Sequence, residues 1–290
     1  MTKLRLSFTL ILILICIIAG CKTIPVKPPE PTPPPKPPDA GQISPVDKFL
    51  KKTTPVLDDA EGSLNPYVLK IVDAYPVDTS YPYRWEKNEY DIYNGVTQNL
   101  LYKEQTVAKA HPNGTRCSNC CGLTFEIFFR AMQFRNKQKG SDINDFNSMT
   151  YDDLYNFMLI WFIVGKGDSP QKAIEYYGLG QAITDWKQAK AGDFCDISRD
   201  NNTGHSIIFI RWVYNPIGEI VGLDYFSSQS KGVGFKTELF SDSGGKVLRD
   251  QVHLARVGKI ENYKPFDRTT IPDRKTVPEP PNTSPVNSSP

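Results

Sequence analysis

The spacing of apolar side chains changes once along this 290-residue chain, from a helical period to strand-like runs. Leu123, Ile127, Ala131 and Phe134 recur at helical intervals, and Phe128 and Met132 widen the stripe, which predicts an amphipathic helix ending near Gly140. Residues 152–165, DDLYNFMLIWFIVG, are almost wholly apolar after their acidic start and predict a buried helix. Asn65-Pro66 opens a shorter one in PYVLKIVDAY, and Ser169-Pro170 starts another that stops at Gly178. Beyond Ala191 the period changes. Strands are predicted at 194–197, 206–213, 219–227, 234–240 and 252–260, with Asn215 to Gly218 as the turn between the second and third. The near-continuous apolar run 206–213 marks a central strand. Helices first and antiparallel strands second is an α+β layout.

The two ends do not belong to that pattern. In residues 1–21, Lys3 and Arg5 precede a nearly unbroken apolar run from Leu6 to Ile18, closed by Ile18-Ala19-Gly20-Cys21. The run is short of the roughly 20 residues that span a bilayer. It resembles the signal peptide and lipobox of bacterial lipoproteins, which implies a lipidated Cys21, a membrane anchor and a place in the cell envelope. Lys22 stands where such lipoproteins carry a retention aspartate, which favours the outer membrane in an envelope of two membranes. Residues 22–45 contain PVKPPEPTPPPKPP, a spacer in extended polyproline conformation. At about 3.1 Å per residue, its two dozen residues reach roughly 70 Å at most. Residues 265–290, rich in Pro, Ser, Thr and Asn, are expected to form a disordered tail. A single domain is left between 46 and 264. The formal net charge is +2 with both signs interspersed, which excludes a nucleic-acid-binding surface.

The candidate chemistry lies at the mouth of the first long helix, in RCSNCCGLTFEIFFR from Arg116 to Arg130. With Ser118 or Asn119 as the N-cap, the thiols of Cys120 and Cys121 fall in the first turn, where the helix dipole favours a thiolate. Much later, GDFCDISRDNNTGHSIIFIRWV places His205 at the head of the central strand. A cysteine at a helix start and a histidine at a strand start are the two parts of a thiol acyl-transfer site. A zinc set of Cys117, Cys120, Cys195 and His205 lacks the second close ligand pair of such sites, so no metal and no cofactor is expected. A disulfide, for instance Cys117 to Cys195, is the more ordinary use of the spare thiols in an oxidising compartment. His253, at a period-two strand position, and His111, in the turn HPNG, read as structural. Residues 81–93 hold Tyr81, Tyr83, Trp85, Tyr90 and Tyr93, a density that suits either a core edge or a groove for sugar rings or peptides.

Asn119-Cys120-Cys121-Gly122-Leu123-Thr124 resembles the Asp-Cys-Ser-Gly-Leu/Phe-Val/Thr motif of the NlpC-type cell-wall endopeptidases. Gly192-Asp193 and Gly204-His205 are similar to that family's second landmark, a Gly-Asp pair before one strand and a Gly-His opening the next. The likeness covers roughly residues 115–229, with Asn119 in place of the aspartate and Cys121 in place of the serine. It implies a papain-like fold with the nucleophile at a helix N-terminus packed on an antiparallel sheet. It makes Cys120 the nucleophile, His205 the general base, and the backbone amide of Cys120 an oxyanion donor. The family's third group is a polar residue on the strand paired with the histidine strand. Folding the hairpin about Pro216-Ile217 nominates Ser227, Ser228 or Gln229, of which Gln229 carries the chemistry best, with Asp224 as a substitute. The substrate so implied is a peptide, above all a peptidoglycan stem peptide, cleaved at an amide bond. The competing reading is a non-catalytic surface lipoprotein of the same fold that binds wall fragments or a protein partner.

Overall fold

The computed structural model describes residues 62–76, 79–85, 91–162 and 168–275. The targeting segment 1–21, the spacer 22–45 and residues 276–290 lie outside the described residues. In chain order the elements are α1 (Asn65–Asp73), β1 (Leu100–Tyr102), β2 (Gln105–Ala108), α2 (Cys120–Gln138), α3 (Tyr151–Trp161) and α4 (Ser169–Tyr176). Then come β3 (Gly180–Ala182), β4 (Phe194–Arg199), β5 (Gly204–Tyr214), β6 (Ile220–Gln229), β7 (Gly232–Leu239) and β8 (Val247–Val257). This is a mixed α+β protein. The six later strands form one sheet in the order β3-β8-β4-β5-β6-β7, each neighbouring pair antiparallel.

The apolar run of β5 has a direct cause: both faces of the sheet are covered. Ile208 joins Phe194, Phe226 and Ala255 in the core shared with the helices, while Ile207 and Phe209 join Trp212, Leu223, Tyr225 and Phe240 in a second cluster on the outer face. Helix α2 is buried around most of its circumference, because Phe125 and Phe129 pack as deeply as the stripe read from its spacing. Phe128 stacks on Phe157 of α3 at 4.9 Å between ring centroids, and Trp161 meets Phe194 of β4 at 5.1 Å, so helices and sheet share one aromatic layer.

Three boundaries differ from the sequence reading. β8 starts at Val247 rather than 252 and stops at Val257, since after buried Val247 its first half is half-exposed or exposed through Gln251 and carries no apolar run. The hairpin β1–β2 turns through Lys103 and Glu104 at φ 49° and 68°, left-handed positions without the glycine or asparagine that signals such a turn. Residues 265–275, the first part of the expected disordered tail, lie against α3. There Arg268 makes two hydrogen bonds of 2.7 and 2.6 Å to Asp153, Ile271 is buried, and the Arg274 amide donates to Asn156 Oδ1 at 2.7 Å. A charged clamp and one buried isoleucine order a segment whose composition is otherwise that of a linker.

Candidate active site

The mouth of α2 is built by close backbone approach. Asn119 is the N-cap, extended at φ −113° and ψ 174°, and its Oδ1 accepts the Gly122 amide at 2.7 Å. An amide oxygen thus caps the helix without adding a charge next to the thiols. Gly122 has no substitute: a Cβ there would stand 2.2 Å from the Gly95 carbonyl carbon. The Asn119 amide donates to that same Gly95 carbonyl at 3.1 Å. One turn on, buried Glu126 accepts from Thr97 N at 2.7 Å, Thr97 Oγ1 at 2.9 Å and Gln98 Nε2 at 3.0 Å, which stitches this loop to the helix. On the other flank Ser118 N donates to the Pro82 carbonyl and Ser118 O accepts from Arg84 N, at 3.0 and 2.9 Å. That pairing carries Tyr83 to the site, a residue the sequence placed only within an aromatic stretch.

The two thiols lie side by side, with Cys120 Sγ 3.9 Å from Cys121 Sγ and each residue only 7% exposed. They are unequal. Cys120 is held well below the usual thiol range, first by the hydrogen bond from Cys121, against the opposing effect of burial, and then by the charge and hydrogen bond of His205 and the backbone N–H of Ser206. Cys121 is pushed up, first because it donates that hydrogen bond and then by burial. The arrangement therefore favours the thiolate at Cys120 over one at Cys121. The phenol of Tyr83 is likewise pushed up, mainly by burial and next by the negative thiols, so it stays a neutral hydroxyl beside them.

His205 is the second residue of β5, and its ring meets Tyr225 edge-on at 5.6 Å and 70° between planes. The Tyr225 hydroxyl is anchored in turn, donating to Glu238 Oε1 at 2.8 Å, while Arg199 binds Glu238 through two hydrogen bonds of 2.8 and 2.9 Å. The structure brings Cys120 and His205 together. The residues nominated as a third group are engaged elsewhere. Ser227 donates to the Ser206 carbonyl at 2.7 Å, Ser228 to the Ser118 carbonyl at 3.0 Å, and Gln229 Nε2 to the Gly234 carbonyl at 3.2 Å. Asp224 pairs with Arg211 at 2.6 Å. The ladder between β5 and β6 carries two irregularities, between Val213 and Tyr214 and between Phe209 and Arg211, which offset each other; its last pairs are Phe209↔Tyr225 and Ile208↔Phe226, a register that continued would set His205 opposite Gln229.

Sequence reasoning missed Asp196. It sits on β4 opposite Ser206 of β5 and His253 of β8, and it is buried on the helix face. Hydrogen bonds reach it from Ser206 and from Ser169 at the start of α4, and its Oδ1 has no partner among the described residues. Burial is the main reason its carboxyl is pushed up to about 7; the negative Cys120 adds to this, and the two serines oppose it. The Ser206 hydroxyl lies 2.9 Å from Thr124 Oγ1, which accepts from Trp161 Nε1 at 3.1 Å, so a chain of polar contacts runs behind the nucleophile. The available signal was a lone aspartate inside an apolar strand. Asp193, by contrast, belongs to the Gly-Asp landmark and is structural: Arg256 binds it through hydrogen bonds of 2.7 and 2.8 Å, and Asn65 and the Lys190 amide each donate at 2.8 Å.

All four described cysteines are free thiols. Cys195 lies in the outer-face core with its Sγ on the Asp196 carbonyl at 3.5 Å, and Cys117 receives the Thr115 hydroxyl at 3.4 Å, so the disulfide offered as an example is not formed. His111 packs on Tyr93, which lies before β1, at 5.3 Å and accepts the Asn113 amide within its own turn. Among the described residues no group of three or more His, Cys, Asp or Glu side chains could hold a metal ion, and no helix is long and apolar enough to cross a membrane. A groove of about 530 Å³ runs along Phe209 to Tyr214 with Ala189, away from both thiols. In comparisons with known proteins, no family model, no curated protein and no solved structure matches the chain.

Proposed function

We propose that this protein is a papain-like cysteine hydrolase of the NlpC type that cleaves an amide bond. The observation that carries the reading is the Cys120 thiol at the start of α2, depressed by its neighbours and hydrogen-bonded by His205. In the reaction the Cys120 thiolate attacks the carbonyl carbon, the imidazolium of His205 gives its proton to the departing amine, and a thioester forms. Water, activated by the now neutral imidazole, then releases the acid and regenerates the thiolate. The amide N–H of Cys120, at the first helical position, supports the developing oxyanion. The peptidoglycan stem peptide remains the substrate implied by the motif, and lipidated Cys21 with the proline spacer holds the domain at the outer membrane, within reach of the wall.

The test is substrate-independent at its first step. Iodoacetamide labelling of each cysteine in residues 42–290, followed from pH 5 to 9 by peptide mass analysis, should find Cys120 fast at pH 6, and His205→Ala should slow it at least tenfold. Hydrolysis of muropeptides that is lost in Cys120→Ala would then fix the substrate class. Uniformly slow labelling at pH 6 sinks the enzyme and leaves a lipoprotein that binds wall fragments or a partner.

A further inference from the structure

We propose that Asp196 and Cys120 hold one negative charge between them, Asp196 keeping its proton while Cys120 is a thiolate, so that Asp196 is a positioning residue that decides which acyl groups the nucleophile accepts. The proposal rests on the thiolate reading above and deepens it.

A buried carboxylate is normally matched by a cation or by several donors, because an unpaired buried charge costs several kcal/mol or is neutralised. Among the described residues no ion pair reaches Asp196. Its donors are the neutral groups of Ser206 and Ser169, and one oxygen is left unpartnered. The groups facing it are named completely by the elements around it: Cys120 and Cys121 from α2, Ser169 from the start of α4, Ser206 from β5, and His253 from β8 directly across the ladder. The nearest formal negative charge is the thiolate itself, and two like charges at close quarters in a dry site do not both form readily. Burial and the thiolate both favour the protonated carboxyl, in agreement with the geometry. Asp196 also hydrogen-bonds Ser206, whose backbone N–H points at the Cys120 sulfur, so the residue that carries the proton also sets the donor to the thiolate.

A chemical consequence follows for the reaction. While Asp196 is neutral, the site tolerates the single negative charge of the thiolate and then of the oxyanion. Once Asp196 ionises, an acyl group carrying its own negative charge is repelled from Cys120, whereas a neutral one is affected much less. The site thus changes its preference with pH, from indifferent to acyl charge below neutrality to selective for neutral or cationic acyl groups above it.

The experiment compares two alkylating probes that differ in charge. The rate of Cys120 labelling by iodoacetate is divided by its rate with iodoacetamide, from pH 5.5 to 8.5, in the native protein and in Asp196→Asn. In the native protein the ratio should fall on the order of tenfold or more between pH 6 and 8, the size expected for one added charge near the thiol. In Asp196→Asn the fall should shrink to about threefold or less. An equal fall in the two proteins overturns the proposal while leaving the thiolate reading intact; slow labelling of native Cys120 at pH 6 overturns both. Should Asp196→Asn not fold, infrared titration of the neutral-carboxyl band in native protein decides the matter. The band should disappear at lower pH after Cys120 is carbamidomethylated, and a band that does not move overturns the proposal.

Discussion

Asp193 and Asp196 stand three residues apart in the sequence GDFCD, both are buried, and their surroundings differ in kind. Asp193 meets a guanidinium through two hydrogen bonds and two further N–H donors, so its charge is fully matched and ties the loop before β4 to α1 and β8. Asp196 meets only neutral donors, the hydroxyls of Ser206 and Ser169 and the Ser169 N–H, and its Oδ1 has no hydrogen-bond partner among the described residues, with a thiol beside it. A matched buried charge holds a fold together. An unmatched one beside a nucleophile has a weak structural rationale, and its ionisation is available to the chemistry.

The largest effect that separates the two is on stability. Asp193→Ala leaves Arg256, whose side chain is 15% exposed, without its partner. The variant should lose about 3–5 kcal/mol in urea denaturation while the pH profile of Cys120 labelling keeps its shape. A loss below about 1 kcal/mol would put Asp193 in the same class as Asp196 and break the comparison.

A smaller effect sharpens the nucleophile's side of it. Asn119→Ala removes the cap on Gly122 and should cost about 1 kcal/mol. It should also slow Cys120 labelling at pH 6, because the first turn that carries the dipole frays. Asn119→Asp should keep the stability, since a carboxylate caps as well; a loss equal to that of alanine would show that Asn119 acts otherwise than as a cap.

The smallest effect concerns Glu238, a half-buried carboxylate and a matched one. Burial raises its carboxyl, but the hydrogen bonds and charges of Arg199 and Lys236 outweigh that and hold it down at about 2. A carboxyl lowered on folding stabilises the protein above its ordinary range near 4.5 and loses that contribution as pH falls towards 2. Thermal melts should therefore show a stability loss between pH 4.5 and 2 that is shallower in Glu238→Gln. Partial exposure keeps the difference to under about 1 kcal/mol. Identical slopes would remove Glu238 from the matched class.

What was legible in the sequence follows from local rules. The period of Leu123, Ile127 and Ala131, the cap at Asn119 and the apolar run of β5 each depend on a few neighbouring residues, so the helices, the central strand and the α+β order could be read directly. Cys120 and His205 could be nominated because a helix start and a strand start are themselves local features. Gln229 shows the limit. A partner across a hairpin depends on register, and the β5–β6 ladder shifts by one residue after Tyr214 and back again after Arg211, which no count along the sequence reveals. The docking of residues 265–275 on α3 depended on Arg268 finding Asp153 across 115 positions of chain.

The sequence by itself determined which residues are apolar, where helices begin, and that two thiols share a first turn. Only the tertiary structure decided that the two thiols are unequal, Cys120 lowered and Cys121 raised, and that of two aspartates in one short stretch Asp193 finds an arginine. The physical reason is that a charge state depends on the solvent excluded and on the partners within a few ångströms, and these are contributed by α2, α4, β5 and β8 from distant parts of the chain.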